Sequence, residues 1–166
     1  MKKKSNTIFL LENPPESVIC THARAVDSIH SISQYEGLEK TDTFPFYTVW
    51  VSREEDLHDF VYQVPDLAWE MLEYAEEPLE ILYPQRKYIS PLQESQQEPI
   101  SIRLVRGSRL NAFVRKHGPL LTFTIQNSDD LPEWVNEKHD LHEKGQNYER
   151  VKSMKLFGDG SFTFVR

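Results

Sequence analysis

An α/β fold, built as an open sheet of parallel and antiparallel strands flanked by helices, is what this sequence predicts. Three observations point to it. Short runs of β-branched and aromatic residues alternate along the chain with segments whose apolar residues recur at helical spacing. Near the C-terminus, two strand-like runs flank Gly158-Asp159-Gly160, the signature of a direct hairpin. The 166 residues are 39% apolar and include three Trp and nine Phe, which is enough bulk for a buried core.

The elements follow in order. Asn6 to Leu11 and Ser17 to His22 are apolar runs separated by Asn13-Pro14-Pro15, so both are expected strands around a turn. Arg24 to Tyr35 carries Ala25, Val26, Ile29 and Ile32 at helical spacing, and Gly37 stands where a C-terminal cap belongs. Phe46 to Val51 is an expected strand. Ser52 and Glu55 then form a Ser-x-x-Glu capping box for a helix running to about Tyr62.

Pro65-Asp66 opens a helix through Tyr74 with Leu67, Met71, Leu72 and Ala75 as its buried stripe, and Pro78 closes it before a strand over Leu79 to Tyr83. The polar stretch from Gln85 to Glu98 lacks core material and is expected to be a mobile loop. Ile100 to Val105 is an expected strand. Ser108 to Lys116 is an expected helix, with Leu110, Phe113 and Val114 on one side and Gly118 beyond its end. Pro119 to Ile125, Val151 to Phe157 and Ser161 to Val165 complete the strands. No repeat interrupts this series, so residues 1-166 are expected to form a single domain.

Charge and cysteine content narrow the function. A formal net charge of −7 argues against a surface that is basic throughout, although a local basic patch remains compatible with it. Cys20 is the only cysteine, and the apolar run Ile8 to Leu11 is too short for a signal peptide or a membrane span. A cytoplasmic protein without a membrane partner is the expectation.

Four local patterns carry chemistry. Cys20 and His22 share one face of a strand, the arrangement of a thiol and a base, but a buried cysteine is ordinary core material. His139 and His142, three apart on an expected helix, resemble part of a metal site, yet no further ligand is placed and no metal is expected. Arg106, Arg109, Arg115 and Lys116 form a candidate basic patch beside Arg103, with solvated helix and strand faces as the plainer reading. Asp159-Gly160 is sufficiently explained by turn geometry.

Several blocks resemble, in unbroken order, those of the YrdC/Sua5 family. They are Ser17-Val18-Ile19-Cys20, Ala25 to Ile32, the helix start at Ser52-Arg53-Glu54-Glu55-Asp56-Leu57, Asp66 to Leu72, Pro78 to Pro84, Ile100 to Val105, and Gly118 to Thr124. The resemblance implies a twisted open mixed sheet with a concave basic face. It also implies a link to L-threonylcarbamoyladenylate synthesis from threonine, bicarbonate and ATP, the first stage of a tRNA modification.

The departures fall on the chemistry. The Thr-Asp-Thr-Val-Tyr-Gly-like loop is missing, because His22 runs almost directly into Ala25-Val26. The Lys-x-Arg of active members aligns with Ser33-Gln34-Tyr35, which carries no cation. Without these charges, or a metal, transfer at an α-phosphate loses its electrostatic stabilisation. Glu76, Glu77 and Glu80 put carboxylates where the family has small or neutral residues, and they would repel a phosphate.

By resemblance, Arg103, Thr122, Thr124, Gln126 and Ser128 are the candidate ligand-binding residues, for a nucleotide or for RNA. ATP is the cofactor the family implies, and no catalytic residue is assigned. The expected function is a non-catalytic or weakly active RNA- or nucleotide-binding relative. The alternatives are a divergent synthase of the same adenylate and a protein-interaction module whose acidic helices meet a basic partner.

Overall fold

The computed structural model describes residues 7–13, 16–36, 38, 47–61, 63–74, 79–84, 100–105, 108–125, 131–141, 152–157 and 161–164. Two strands, β1 (Phe9–Asn13) and β2 (Glu16–His22), lead into helix α1 (Val26–Ser33). Strand β3 (Thr48–Val51), a 3-10 helix (Glu54–Asp59), α2 (Asp66–Tyr74) and β4 (Leu79–Tyr83) follow. Next come β5 (Ile100–Leu104), α3 (Ser108–His117), β6 (Leu120–Thr124), β7 (Glu137–Asp140), β8 (Lys152–Leu156) and β9 (Phe162–Phe164).

Among the described residues these strands form one nine-stranded sheet in the order β7-β1-β2-β6-β3-β5-β4-β8-β9. The pairs β1/β7, β3/β5 and β4/β8 are parallel, and the remaining neighbours are antiparallel. The mixed sheet flanked by helices is the expected α/β arrangement. No helix of the described residues is long and apolar enough to cross a membrane.

Strand alternation divides the side chains between two cores. On one face Ile19, Val49, Ile81, Ile102, Leu121 and Phe123 pack with Ile29 and Ile32 of α1, Leu57 of the 3-10 helix, and Ala68 and Leu72 of α2. On the other, Phe9, Leu11, Cys20, Trp50 and Leu120 pack with Leu110, Phe113 and Val114 of α3. Each such aliphatic side chain withdrawn from water stabilises the fold by roughly 1.5–3 kcal/mol.

Polar contacts fix where α3 sits. The Asn111 amide donates to the carbonyls of Val105 at 3.0 Å and Ser52 at 3.4 Å, beyond the ends of β5 and β3. Gly118 then takes a positive φ of 79°, which ends the helix and returns the chain into β6. The His22 ring lies 3.3 Å from where a Cβ on Gly118 would stand, so a side chain there meets both strain and crowding.

Three local expectations are corrected. Ser52 caps no helix: the 3-10 segment begins after Arg53, and the residue at its start makes no side-chain capping bond. The buried side of α2 is Ala68 and Leu72, with Leu67 and Met71 only half-buried. His139 lies in the edge strand β7 rather than on a helix, because residues 137–140 pair with β1 in parallel register. The amide of Asn136 donates to the Ile8 carbonyl at 2.9 Å, and the Asn136 Oδ1 accepts from the Ile8 amide at 2.8 Å, so β7 is pinned at its start. The expected loop from Gln85 to Glu98, the cap at Gly37 and the turn at Gly158-Asp159-Gly160 lie outside the described residues.

Leu121 is fully buried in the middle of the sheet, whereas Phe164 on the edge strand β9 is 50% exposed. Leu121→Ala should therefore lower the unfolding free energy in urea by about 2–5 kcal/mol. Phe164→Ala should change it by no more than about 0.5 kcal/mol.

Candidate nucleic-acid interface

The sheet face that carries α3 also carries a row of polar side chains. Thr122 of β6 stands opposite Thr48 of β3, and Cys20 of β2 flanks Thr122 on its other side. Arg103 of β5 stands between Trp50 of β3 and Glu80 of β4. The strand register thus brings Arg103, Thr122 and Thr124 to one face of the sheet.

These groups are committed inside the protein. The Thr122 hydroxyl donates to the Thr48 carbonyl at 2.8 Å, and the hydroxyls of Thr48 and Ser101 lie 3.5 Å apart. Arg103 is only 8% exposed, and its guanidinium carbon lies 5.1 Å from the centroid of the Trp50 ring. That cation–π contact, in a site largely withdrawn from water, holds the charge against the sheet instead of presenting it to solvent. Thr124 is half-buried at the end of the row. Gln126, Ser128 and Arg106 lie outside the described residues.

Three exposed cations lie together on α3. Arg109, Arg115 and Lys116 lie with Ala112 along the solvent side of α3, opposite Leu110, Phe113 and Val114. At 100° per residue, Arg109, Ala112 and Lys116 fall within an arc of about 60°, with Arg115 beside them. Among the residues of α3 itself no carboxylate stands on this side.

An aromatic cluster lies at the C-terminal end of α3. The His117 ring is 4.9 Å from Phe9 and 4.5 Å from Phe113, and His139 of β7 is 5.7 Å and 5.1 Å from the same two rings. Phe9 and Phe113 themselves meet edge to face at 5.2 Å. The His139 Nε2 is 3.3 Å from a Glu137 carboxylate oxygen. Burial first, then the neighbouring Lys116, lowers the His117 pKa from its ordinary value of 6.5; Glu137 opposes this and His139 adds to it. The four-residue spacing of Phe113 and His117 is a readable helical signal for part of this cluster. His139 is not readable in the same way, because no apolar residue marks its segment as a strand.

Burial pushes the Cys20 thiol pKa upward, which suppresses the thiolate a nucleophile requires. The neighbouring His22 uses its Nδ1 to accept a hydrogen bond from the Arg24 amide at 3.1 Å. Among the described residues no group of three or more His, Cys, Asp or Glu side chains converges on a metal position, and His142 lies outside them.

No protein-family model matches the sequence, and no curated protein matches it. Similarity to solved structures is nevertheless extensive. Full-length HypF, solved in its phosphate- and nucleotide-bound form, superposes on 97% of this chain with a TM-score of 0.66 at 10% identity. A double variant of P. abyssi Sua5 superposes on 97% with a TM-score of 0.70 at 11% identity. YciO from E. coli superposes on 96% with a TM-score of 0.67 at 12% identity. The chain spans 27% of the HypF chain, 49% of the Sua5 chain and 82% of YciO. The fold is thus an α/β fold of mixed sheet and flanking helices. More particularly it is the YrdC-like fold, carried by a highly divergent sequence.

Two measurements test this geometry. Thr122→Val removes the donor to the Thr48 carbonyl while keeping the side-chain volume, and should cost about 0.5–1.5 kcal/mol of stability in urea. The folded His117 is harder to protonate than the unfolded one, so in the window below its ordinary value the unfolded chain binds more protons. Its contribution to stability is complete above that value and is lost as the pH falls. The urea midpoint should be lower at about pH 5.5 than at about pH 7.5, and His117→Gln should narrow that difference.

Proposed function

We propose that the chain is a cytoplasmic, single-domain, YrdC-like relative of the tRNA-modification synthases that binds RNA and does not make L-threonylcarbamoyladenylate. The observation that carries this reading is the division of its cations. Arg103, the cation aligned with the family's cleft, is buried against Trp50, whereas Arg109, Arg115 and Lys116 stand exposed on α3.

Adenylate synthesis needs positive charge close to the reacting phosphate of ATP, held ready before the negative charge develops. A buried, stacked arginine and hydroxyls engaged with the backbone do not supply it. Binding to an RNA backbone needs only exposed cations that can each displace a condensed counterion. The basic side of α3 meets that requirement, and its solvent-facing position fits an extended polyanion better than a small nucleotide. The nucleotide bound by HypF belongs to a chain of which this protein spans about a quarter.

Fluorescence anisotropy with a labelled oligouridylate tests the reading. With about two phosphates neutralised on a single strand by Arg115 and Lys116, the logarithmic salt slope should be near −1.4, which is roughly a 7-fold loss of affinity between 50 and 200 mM salt. Replacing Arg109, Arg115 and Lys116 together with Gln should abolish binding while leaving the fold intact by circular dichroism. Unchanged binding in that variant would remove α3 from the interface. Pyrophosphate release from ATP, stimulated by threonine and bicarbonate, would replace this reading with that of a divergent synthase.

A further inference from the structure

We infer that β9 is the contact between two copies of this chain: the strand pairs antiparallel with its own two-fold copy about Thr163, so that Phe162 stands opposite the partner's Phe164. The inference is independent of the RNA-binding reading above, since α3 packs on strands toward the other end of the sheet.

The two ends of the sheet differ in chemistry. Edge strand β7 reads Glu137-Lys138-His139-Asp140, and charges of this kind along an edge discourage another strand from joining it. Edge strand β9 reads Phe162-Thr163-Phe164 and carries no charge, and among the described residues no strand pairs with its outer side. Phe162 and Phe164 lie opposite Leu156 and Met154 of β8, which are buried in the larger core. The apolar face of the sheet therefore runs out to β9. It ends there in two phenyl rings that are 37% and 50% exposed and meet edge to face at 5.5 Å.

The ladder shows which backbone groups are available. The Phe157 amide donates to the Ser161 carbonyl at 2.9 Å, so this pair, and by alternation Lys155 with Thr163, are the hydrogen-bonded pairs of β8 and β9. Thr163 thus turns its N–H and C=O inward, while those of Phe162 and Phe164 point to the open edge. The Phe164 carbonyl is 3.5 Å from the Thr163 hydroxyl, a long contact that leaves a lone pair for a second donor.

A two-fold axis at Thr163 makes this edge its own complement, because Phe162 can exchange both of its backbone bonds with the partner's Phe164. The phenyls of both copies then fall on one face, where the row of Met154 and Leu156 continues across the axis. The strand brings no like charges together. Pairing of this kind closes at two copies and leaves no β9 edge to extend further. A contact 3 residues long falls well short of the roughly 800 Å² per partner of a stable dimer, so the association is weak and depends on concentration.

Oxidative cross-linking and sedimentation equilibrium test this on the full chain. Across a non-hydrogen-bonded antiparallel pair the Cα atoms stand about 4.5 Å apart, within the range a disulfide spans. Thr163→Cys should therefore form a disulfide-linked dimer in an oxidising glutathione buffer, and Ser161→Cys, displaced from the axis, should do so about tenfold more slowly or less. Cys20 is buried and does not compete. The sedimentation mass of the wild type should rise from one chain toward two between about 10 µM and about 1 mM protein. Phe162→Lys/Phe164→Lys sets like charges opposite one another and should weaken dimerisation about tenfold, whereas Phe162→Lys/Phe164→Glu sets opposite charges there and should recover much of that loss. A wild type still monomeric at about 1 mM would overturn the inference and leave the edge to a strand from a different protein. Equal cross-linking from the two cysteine variants, or a dimer unchanged in Phe162→Lys/Phe164→Lys, would overturn it as well.

Discussion

The register of β6, β3 and β5 governs the rest of the structure. Val49 is paired with Leu121 on one side and Ile102 on the other, so three apolar residues lie side by side on the face covered by α1 and α2. One position along, Trp50 is paired with Leu120 and Arg103, and these point to the face that carries α3. A shift of one residue in β5 would bury Arg103 among aliphatic side chains, and one in β3 or β6 would turn Val49 or Leu121 toward the smaller core. The cost of an uncompensated buried charge makes that alternative inaccessible. The same constraint therefore fixes the packing of the sheet and the position of the cation buried in it.

That position decides what the cation can do. A guanidinium set over an indole and largely withdrawn from water is held locally, and a phosphate reaching it would have to shed its own hydration. The hydroxyls of Thr48, Thr122 and Ser101 are likewise engaged within the sheet. On this face these hydroxyls link β6 to β3 and β3 to β5. Arg109, Arg115 and Lys116 stand exposed on α3, whose apolar side is anchored by Phe113, Val114 and the Asn111 bonds to the ends of β3 and β5.

Much of this was legible in the sequence, for identifiable reasons. Strands β2, β3, β4, β5 and β6 are rich in Val, Ile, Leu, Phe and Trp and are bounded by polar or proline-containing segments, so their pattern announces them. Helix α3 shows its apolar residues at helical spacing and Gly118 at its end. Strand β7 was not legible, because Glu137-Lys138-His139-Asp140 has no apolar residue and acquires its strand form from pairing with β1. Ser52 misled because a capping box is a local pattern, whereas the chain beyond β3 is held by tertiary contacts in a 3-10 turn. Alignment order could place Arg103 opposite the family's arginine, but only the register reveals that Trp50 covers it.

The basic side of α3 has consequences out of proportion to three residues because the chain as a whole is acidic. With a net charge of −7, the chain as a whole repels an approaching polyanion, and clustered cations such as those of α3 oppose that repulsion locally. Orientation is then selected before contact, and the helix need not supply high affinity to supply a preferred approach. A scaffold whose family-aligned arginine is buried thus carries a separate group of exposed cations on the outer side of a helix, away from the strand that holds that arginine.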